Sequence, residues 1–393
     1  MTYQGDFTLP SDLLDQITDQ GFDILPELIR IVVNVAMQAE RQQYLGAAPY
    51  QHSPLRQGHA NGYKPKTVKT RLGEINFDIP QVREGGFYPQ ALEKGLRSER
   101  ALTMTLAEMY VQGVSTRKVT AIVEQLCGSS VSSSVVSQAA ALLDESLEAW
   151  RNRPLGEFVY LFLDARYEKV RQDGVIRDAA LLIAMGVDHK GRRHILGVSI
   201  SLGEHEIHWR TFLQSLVTRG LNGVQLITSD DHQGLKAARI AVFGGIPWQR
   251  CQFHLQQNAS QHVPRQSMKA AVAADLRMIF NAPNQATADV YLAQVVQKYA
   301  KTASKLADWI EKNVPEGLTV FAFPLSHQRK LRTTNGLERL SREIKRRTRV
   351  VGIFPNEASC LRLSSAILME YHDEWQVGRV YLTLQEENVT PPL

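Results

Sequence analysis

Short apolar runs alternate with helical patterns in the central part of the chain. The first run, FVYLFL at 158–163, contains aromatic and β-branched residues and has the length of a strand buried on both faces of a sheet. Further strands are predicted at 178–189 and 194–203, and the turn HKGRR between them favours an antiparallel meander. A helix at 207–221, a strand at 224–229, a helix at 233–245 and a strand at 247–254 are predicted to follow. In a mixed sheet with the order β-β-β-α-β-α-β, the fourth strand is expected beside the first.

The residues before this region predict one helix and one hairpin. Apolar positions at roughly helical period indicate an amphipathic helix at 23–45. Alternating apolar residues on either side of Gly73 predict a hairpin. Four cations accompany its first strand: Lys64, Lys66, Lys69 and Arg71. They are consistent either with protection of a sheet edge or with a strand lying along a phosphate backbone, and both interpretations stay open.

Three helices with short breaks are predicted between Leu102 and Trp150. Ser115 and one of the serines at 132–134 are predicted N-caps, and Gly128 ends the helix before the second cap. Such a compact trio is consistent with a helix-turn-helix whose last helix presents Ser137 and Gln138 to a major groove. An all-helical packing unit without DNA contacts is the alternative.

The later part of the chain is predicted to be helical. Residues 263–323 predict two helices that interrupt the sheet-forming region, and a last helix is predicted around 358–375. The predicted domain organisation has six segments: an N-terminal helical segment (1–60), a basic hairpin element (61–100), a helix-turn-helix domain (101–150), the first part of an α/β core (151–262), a helical insertion (263–325) and the second part of the core (326–393).

Composition places the chain among globular proteins. Its 393 residues are 44% hydrophobic, which is sufficient for two or three domains with an ample core. The sequence contains no apolar run of membrane-spanning length, and MTYQGDFTLPSD lacks the pattern of a secretion signal, so we expect a cytoplasmic protein. Cys127, Cys251 and Cys360 are far apart and odd in number, which favours reduced thiols over a disulfide framework.

Positive charge is concentrated in one stretch near the C-terminal end. Nine Lys or Arg and two Glu between Arg329 and Arg349 give a local net charge of +7, whereas the whole chain carries +5. A solvated helix usually alternates in sign, and a one-sided set is typical of a surface that meets phosphates. The predicted nucleic-acid contacts here are Arg329, Lys330, Arg332, Arg339, Arg342, Lys345, Arg346, Arg347 and Arg349.

Two aspartates follow predicted strands. Asp164 comes directly after the run at 158–163, so we expect it at the carboxyl end of a central strand, and Asp230 directly follows the fourth strand. Asp230 is also placed to cap the helix beginning near Gln233. If the two strands are neighbours, the carboxylates converge, and they repel one another unless a divalent cation such as Mg²⁺ lies between them.

Glu338 is the third candidate acid. Leu337, Leu340 and Ile344 form an apolar stripe at helical spacing, which predicts that this helix docks on a core and places Glu338 at the edge of the docked face. The simplest alternative is an i, i+4 ion pair between Glu338 and Arg342, a common surface feature worth about 0.2–0.5 kcal/mol.

Four blocks of the sequence, in order, resemble the Mutator-type transposases of bacterial insertion sequences (the insertion sequence 256 family). They are YLFLDARYEKVR, SDDHQGL, WQRCQFHLQQNA and TTNGLERLSREIKRRTRVVGIFPN. The stretch MYVQGVSTRKVTAIVEQLCG is also similar to the helix-turn-helix of that family. The resemblance covers most of the chain.

The resemblance implies a ribonuclease-H-like core with an Asp-Asp-Glu triad and a helical insertion between the second Asp and the Glu. The triad falls on Asp164, Asp230 and Glu338, which would be both catalytic residues and metal ligands. Asp231 is a rival for the second position, although residue 230 follows the strand directly and residue 231 is expected to face the other way.

The implied function is that of a DNA transposase. It would bind the terminal inverted repeats of an insertion sequence and catalyse metal-dependent cleavage and strand transfer with two Mg²⁺ ions, for which Mn²⁺ would substitute. Double-stranded DNA and a second copy of the chain are the expected partners, because two element ends must be joined. Neither a membrane nor a nucleotide cofactor is expected.

Cys251 and His254 form a Cys-x-x-His pair on the predicted last strand. A structural zinc site needs four ligands, and we find no second Cys/His pair at suitable spacing. The predicted role is structural support: His254 either donates a hydrogen bond beneath the acidic site or simply packs in the strand.

Two other functions compete with that of a transposase. A DNA-binding regulator without catalytic activity would need a broken triad, and this one looks intact. A ribonuclease-H-like nuclease would hydrolyse without joining strands, and the helix-turn-helix and the long helical insertion argue against it.

Overall fold

Two units make up the chain, Met1–Leu142 and Leu143–Leu393. The structure is a computed structural model that describes residues 11–48, 51, 54–83, 86–95, 97–128 and 130–384. Most of the N-terminal segment from which the absence of a secretion signal was predicted therefore lies outside the described residues. None of the described helices combines the length and the apolar character that crossing a bilayer requires. Cys127, Cys251 and Cys360 are free thiols, as predicted.

The first unit combines a hairpin with helices. Its elements are α1 (Ser11–Gln20), α2 (Leu25–Leu45), β1 (Ala60–Thr70), β2 (Gly73–Val82), α3 (Arg100–Val111), α4 (Thr116–Cys127) and α5 (Ser133–Ala141). The predicted hairpin is confirmed, with β1 and β2 antiparallel. Its core face buries Val68, Ile75, Phe77 and Ile79 against Met37 of α2.

Two predicted serine caps are present in the first unit. Ser115 Oγ accepts a hydrogen bond from Lys118 N at 3.3 Å, and Ser132 Oγ accepts one from Val135 N at 3.4 Å. The third predicted helix is divided in two, which differs from the prediction. Leu142 N donates to Ala139 O at 3.2 Å, which tightens the chain and ends α5, and a new helix begins at Asp144.

A mixed five-stranded sheet forms the centre of the second unit. Its elements up to the last strand are α6 (Asp144–Asn152), β3 (Tyr160–Gln172), β4 (Val175–Val187), β5 (Arg193–Ser201), α7 (Glu206–Thr218), β6 (Leu226–Ser229), α8 (Gln233–Phe243) and β7 (Trp248–Arg250). The spatial order is β5-β4-β3-β6-β7; β3 to β5 are antiparallel neighbours, and β6 runs parallel to both β3 and β7. The predicted strand order and the pairing of the fourth strand with the first are therefore confirmed.

Alternate residues of β3 and β4 supply the two faces of this sheet. Leu161, Leu163 and Leu182 join a core with Trp209 of α7 and Leu235 of α8. The remaining helices of the chain are α9 (Gln252–Ala259), α10 (Lys269–Phe280), α11 (Gln285–Ala300), α12 (Ser304–Asn313), α13 (Leu325–Leu331), α14 (Asn335–Thr348) and α15 (Glu357–Val377). α15 packs on β5 and β3, and α14 packs on β3.

The predicted helical insertion has a core of its own. Leu255, Leu276, Val295 and Ile310 are buried together, and they belong to α9, α10, α11 and α12 respectively. The second helix predicted for this region is divided at 301–303 into α11 and α12. The insertion thus folds as a separate layer beside the β6–β7 edge of the sheet.

Two local predictions were wrong near the sheet. Asp164 does not end its strand, because β3 continues to Gln172 in a long hairpin with β4. The predicted strand 247–254 ends at Arg250, and α9 begins at Gln252. Leu255 and Ala259, four residues apart, bury the inner face of α9, and this helical spacing overrides the alternation that suggested a strand.

Candidate active site

Asp164 lies where the parallel neighbour of β3 ends. The last position of β6 that pairs with β3 is Thr228, opposite Phe162, so Asp164 is two residues beyond this parallel pairing. One carboxylate oxygen, Oδ1, accepts the Ala165 backbone N–H at 2.9 Å. Asp164 therefore lies at the edge of the sheet where β6 ends and Asp230 follows.

Asp230 follows β6 directly. Its Oδ1 accepts the backbone N–H of Asp231 at 2.7 Å and lies 3.9 Å from Nδ1 of His254. The two preceding residues are anchored, since Thr228 Oγ1 donates to Leu331 O at 2.8 Å and Trp248 Nε1 donates to Ser229 Oγ at 2.9 Å. These bonds fix the end of the strand that carries the carboxylate.

Asp231 has a different environment from its neighbour. Its Oδ2 lies 2.9 Å from Nη1 of buried Arg250, and its Oδ1 lies 3.6 Å from Nζ of Lys236. Both cations also bind Glu316, at 3.0 and 2.6 Å. Because Asp231 is neutralised by two cations, Asp230 is the acid of the two that is available to a ligand.

Glu338 is presented by the docked helix α14. The predicted stripe is confirmed, since Leu337, Leu340 and Ile344 are all buried. Burial of three such side chains contributes about 1.5–3 kcal/mol each, which holds the helix on the core. Thr334 directly precedes the helix and donates to Cys251 Sγ through both its backbone N and its Oγ1, at 3.4 Å each.

No Lys or Arg pairs with Glu338 in the part of the chain that the structure describes, so the predicted alternative of an ion pair with Arg342 is not formed. Its Oε1 lies 4.0 Å from Nε2 of His254. That same oxygen is buried and has no hydrogen-bond partner among the described residues. Burying a carboxylate oxygen without a partner is costly, so this position is suited to a cation.

His254 links the three acids. It lies in the first turn of α9, between Asp230 and Glu338, and its charge also acts on Asp164. Burial lowers the pKa of His254, but Cys251 and the carboxylates of Asp230 and Asp164 outweigh it and raise the pKa to about 9. A protonated imidazole at this position partly offsets the negative charge of the acids.

The charges of the other two acids act on Asp164. Burial raises its pKa to about 7; His254 and the Ala165 N–H oppose this rise, and the charges of Glu338 and Asp230 add to it. The structure thus brings Asp164, Asp230 and Glu338 together from three distant parts of the chain.

These residues fit a hard divalent cation. Asp164 and Asp230 each commit one oxygen to a backbone N–H, and Glu338 Oε1 is an unpartnered buried acceptor. Mg²⁺ is held by one or two carboxylates and keeps several waters, which matches such a donor set. Cys251, His254 and Glu338 also place ligand atoms within 4.8 Å of one another. They supply three ligands, whereas a structural zinc site takes four, and the Cys251 sulfur is already engaged by Thr334.

The predicted cationic stretch is mostly exposed. Arg329, Lys330, Arg339, Arg342, Lys345, Arg346 and Arg349 lie at the surface, and Arg332 is half-buried. Arg347 is an exception that corrects the prediction: it is 4% exposed, and its guanidinium binds Glu370 at 2.6 Å and Glu343 at 3.0 Å. Arg347 therefore holds α14 on α15 instead of facing a phosphate.

The candidate DNA contacts of the first unit are also accessible to different degrees. Ser137, Gln138, Lys64 and Arg71 are exposed. Two lysines are engaged within the unit: Lys66 Nζ donates to Tyr88 Oη at 2.9 Å, and Lys69 Nζ donates to Ser130 O at 2.6 Å.

Sequence reasoning missed the buried cation that distinguishes the two aspartates. Arg250 lies 3.0 Å from Glu316 and donates to Asn313 Oδ1 at 2.9 Å. A cation inside a predicted buried strand was the available signal, since its partners Asn313 and Glu316 are more than 60 residues away in sequence.

Comparison with known proteins gives the family of this chain. The model of the family described as "Transposase, Mutator family" matches residues 6–378. A transposase for insertion sequence element IS406 from Burkholderia multivorans is 56% identical over 368 residues, which are 93% of this chain and 95% of that protein. The transposase for IS256 in transposon Tn4001 from Staphylococcus aureus is 37% identical over 387 residues, 95% and 96% of the two chains. The chain belongs to the Mutator family of transposases.

Proposed function

We propose that this protein binds the terminal inverted repeats of an insertion sequence and catalyses metal-dependent DNA cleavage and strand transfer. The observation that carries the proposal is the meeting of Asp164, Asp230 and Glu338 around His254, without a Lys or Arg ion pair to any of the three among the described residues. The relatives, which are named transposases for insertion sequence elements, support the same function.

The proposed catalytic core is ribonuclease-H-like. Three antiparallel strands followed by a parallel fourth beside the first, with acids at the ends of the β3–β6 pairing, support this assignment. The separate core of α9 to α12, between Asp230 and Glu338 in sequence, corresponds to the helical insertion.

Asp164, Asp230 and Glu338 would hold two Mg²⁺ ions, with Mn²⁺ as a substitute. When bound, such ions make an attacking oxygen more nucleophilic and stabilise a leaving oxygen of a phosphodiester. The protein itself orients the three carboxylates: backbone N–H groups fix the two aspartates, and Thr334 on Cys251 fixes the start of α14. His254 acts as a positioning residue that bridges Asp230 and Glu338.

DNA would be held by the exposed cations of α13 and α14. Phosphate contacts of this kind give salt-dependent affinity with little sequence preference. Recognition of the repeat sequence is assigned to the helix-turn-helix of α4 and α5, through Ser137 and Gln138, and to the hairpin cations. At least two copies of the chain act together on DNA, because two element ends are joined.

The proposal is tested with the full chain, labelled element ends, a target duplex and Mg²⁺ on a gel. The wild type should yield cleaved ends and joined products, and omission of divalent cations should abolish both. Asp164→Asn and Glu338→Gln should bind the ends as the wild type does and yield neither product. Strand transfer by either variant would overturn the assignment of the acids. Cleavage without any joined product would favour the nuclease instead.

Truncation before Arg151 separates recognition from chemistry. The truncated chain should lose its preference for element ends over unrelated DNA. If the preference is retained, sequence recognition does not belong to the helix-turn-helix.

A further inference from the structure

A groove lies between two helices of the helical insertion. It is formed by one face of α9 and the N-terminal part of α10, and it has a volume of about 310 Å³. Its lining includes an aromatic ring, two amides, a lysine and two small apolar side chains: Phe253, Gln256, Gln257, Lys269, Val272 and Ala273. We call it the α9–α10 groove.

Phe253 connects the α9–α10 groove with the acids. It is 50% exposed, and its ring meets the ring of His254 edge-on, with the ring centroids 5.5 Å apart. His254 in turn lies 3.9 Å from Asp230 Oδ1 and 4.0 Å from Glu338 Oε1. A single imidazole therefore separates the Phe253 ring from two of the three acids.

The polar groups of the groove are available to a ligand. Within the part of the chain that the structure describes, the side-chain amides of Gln256 and Gln257 make no hydrogen bond, and Lys269 forms no ion pair. The groove residues include no Asp or Glu. Exposed amides and lysines are commonly hydrated, so these groups alone do not mark a site. Their position around an exposed aromatic ring next to the acids is what distinguishes them.

The size and chemistry of the groove fit a nucleobase. A base has a planar face and a hydrogen-bonding edge, which an aromatic ring and amide groups can bind. Val272 and Ala273 add an apolar wall. A volume of about 310 Å³ is at the lower end of ligand sites, which span about 300–1,000 Å³, so the groove suits one planar ring system better than a helix of a partner protein.

A base can enter the groove only after it leaves the double helix, because in a duplex both of its faces are covered by neighbouring bases. Rotation out of the helix loses pairing and stacking, and stacking on an aromatic side chain offsets part of that loss. Only one sugar separates a base from its own phosphate. A base on Phe253 and a phosphate at the acids therefore fit neighbouring nucleotides of one strand.

We propose that the α9–α10 groove binds an unstacked base of the DNA strand that is cut, next to the reacting phosphate. Phe253 stacks on the base, the amides of Gln256 and Gln257 bind its edge, and Lys269 contacts an adjoining phosphate. This inference rests on the proposed function, because it takes DNA as the substrate at the acids. The bound base holds the strand in place, so that the reacting phosphate stays at the carboxylates.

The test uses element-end duplexes that lack single bases. Full-length Asp164→Asn protein, which is expected to be silent in cleavage, is the parent. The bases on both sides of the cut are replaced one at a time by abasic residues, and binding of each labelled duplex is measured. Phe253→Ala, added to the parent, should weaken binding of the intact end about tenfold, as expected for loss of one stacked base. On the duplex that lacks the stacked base, the variant and its parent should bind equally.

Three further variants sharpen this comparison. Phe253→Trp should keep the affinity for the intact end, because an indole also offers an aromatic face. Lys269→Gln should reduce the slope of log affinity against log salt by about 1. Met278→Ala is the matched control, since Met278 is 40% exposed on α10 and does not line the groove. It should bind every duplex as the parent does.

Gln257→Glu protects the test against misfolding, because it changes one amide at an exposed position and places a carboxylate at the groove. It should weaken binding of the intact end at an unchanged melting temperature. Intact-end affinities of Phe253→Ala and Gln257→Glu equal to that of the parent overturn the proposal. A loss of the same size on every abasic duplex also overturns it, since the contact then involves no base.

Two results separate this inference from the proposed function. If the wild type cuts no DNA in Mg²⁺ although the effect of Phe253→Ala depends on one base, the proposed catalysis fails and the groove assignment stands. If the wild type cuts and joins DNA while the effect of Phe253→Ala depends on no base, the groove assignment fails and the proposed function stands.

Discussion

Two segments of this protein each carry one paired and one unpaired acid. On the loop after β6, Asp231 is held by Arg250 and Lys236, whereas His254 is the only basic side chain of the described residues that lies within 4 Å of the Asp230 carboxylate. On α14, Glu343 is held by Arg346 and Arg347, whereas Glu338 has only His254 as a basic neighbour in the same described part of the chain. The two unpaired acids meet each other and Asp164; the paired acids serve to connect elements.

The difference shows that residue type alone does not decide the role of an acid here. A carboxylate beside a buried guanidinium has its charge balanced within the fold. Carboxylates gathered without such partners repel one another, and that cost is offset when a cation binds. Each of the following predictions changes one side of this contrast.

The largest expected effect is on the rate of DNA cleavage, and it should distinguish Asp230 from the adjacent Asp231. Asp230→Asn should lower the rate of Mg²⁺-dependent cleavage about 10³-fold or more, since a metal-centred charge contributes several kcal/mol to the transition state and 1.36 kcal/mol is a factor of ten. Asp231→Asn should stay within about tenfold of the wild type. Equal losses of cleavage rate in the two variants, measured in single-turnover experiments, would contradict the distinction between Asp230 and Asp231.

Among these changes, removal of the buried cation Arg250 should lower the free energy of unfolding the most. Arg250→Met removes the buried one of the two cations that Asp231 and Glu316 share, and breaking a buried pair in this way costs about 3 kcal/mol or more. Urea unfolding measures this change. The double variant Arg250→Met/Glu316→Gln should recover part of the loss, because only Asp231 then remains as a charged group that has lost Arg250. A single variant as stable as the wild type would show that the network is not structural.

The paired acid of α14 should make stability depend on pH. Hydrogen bonds from Arg346 and, against the effect of burial, from Arg347 lower the pKa of Glu343 to about 2. Because the folded pKa lies below its ordinary value of 4.5, the unfolded chain binds the proton more readily. The contribution is therefore complete above about pH 4.5 and is lost as the pH falls towards 2, by about 1–2 kcal/mol.

The matched variant for that prediction is Glu343→Gln. The difference in unfolding free energy between it and the wild type should shrink from pH 6 to pH 3. Other carboxylates titrate in both proteins, so only this difference is informative. A constant difference would argue against the ion pairs.

The smallest effect on the free energy of unfolding is expected for Arg346, the more exposed of the two arginines that bind Glu343. Arg346 is 63% exposed at its side chain and Arg347 only 5%. Arg346→Gln should lower the free energy of unfolding only slightly, because an exposed ion pair contributes little to stability, yet it should weaken DNA binding and reduce its salt dependence. Arg347→Gln should destabilise the fold more and leave the salt dependence unchanged. The reverse pattern would indicate that Arg347 contacts DNA.

The sheet could be predicted from sequence because its signals are local. Runs such as 158–163 mark where a strand lies, and the order of strands and helices restricts how the strands pair. The length of the strand was not predicted, because β3 continues to Gln172. The prediction for 247–254 failed because Trp248 to Arg250 extends the sheet by only three residues before helical spacing takes over. His254 was flagged by its motif but assigned to the wrong element.

The pairing of charges could not be predicted in the same way. Arg347 looked like its neighbours in the basic stretch, and only the docking of α15 brings Glu370 to it. Likewise, Glu316 reaches Arg250 through the packing of the helical insertion beside β7. Contacts between residues this distant in sequence depend on the complete fold, so paired and unpaired acids look alike in the sequence.

Binding of Mn²⁺ tests most directly whether the unpaired acids form a cation site. Titration of the full-length protein without DNA, followed by calorimetry or by the loss of the free-ion electron paramagnetic resonance signal, compares the wild type with Asp164→Asn, Glu338→Gln and Asp231→Asn. The account predicts Mn²⁺ binding by the wild type and by Asp231→Asn, and at least about tenfold weaker binding by the other two, since each loses a charged ligand. Equal affinity in all four proteins would contradict it.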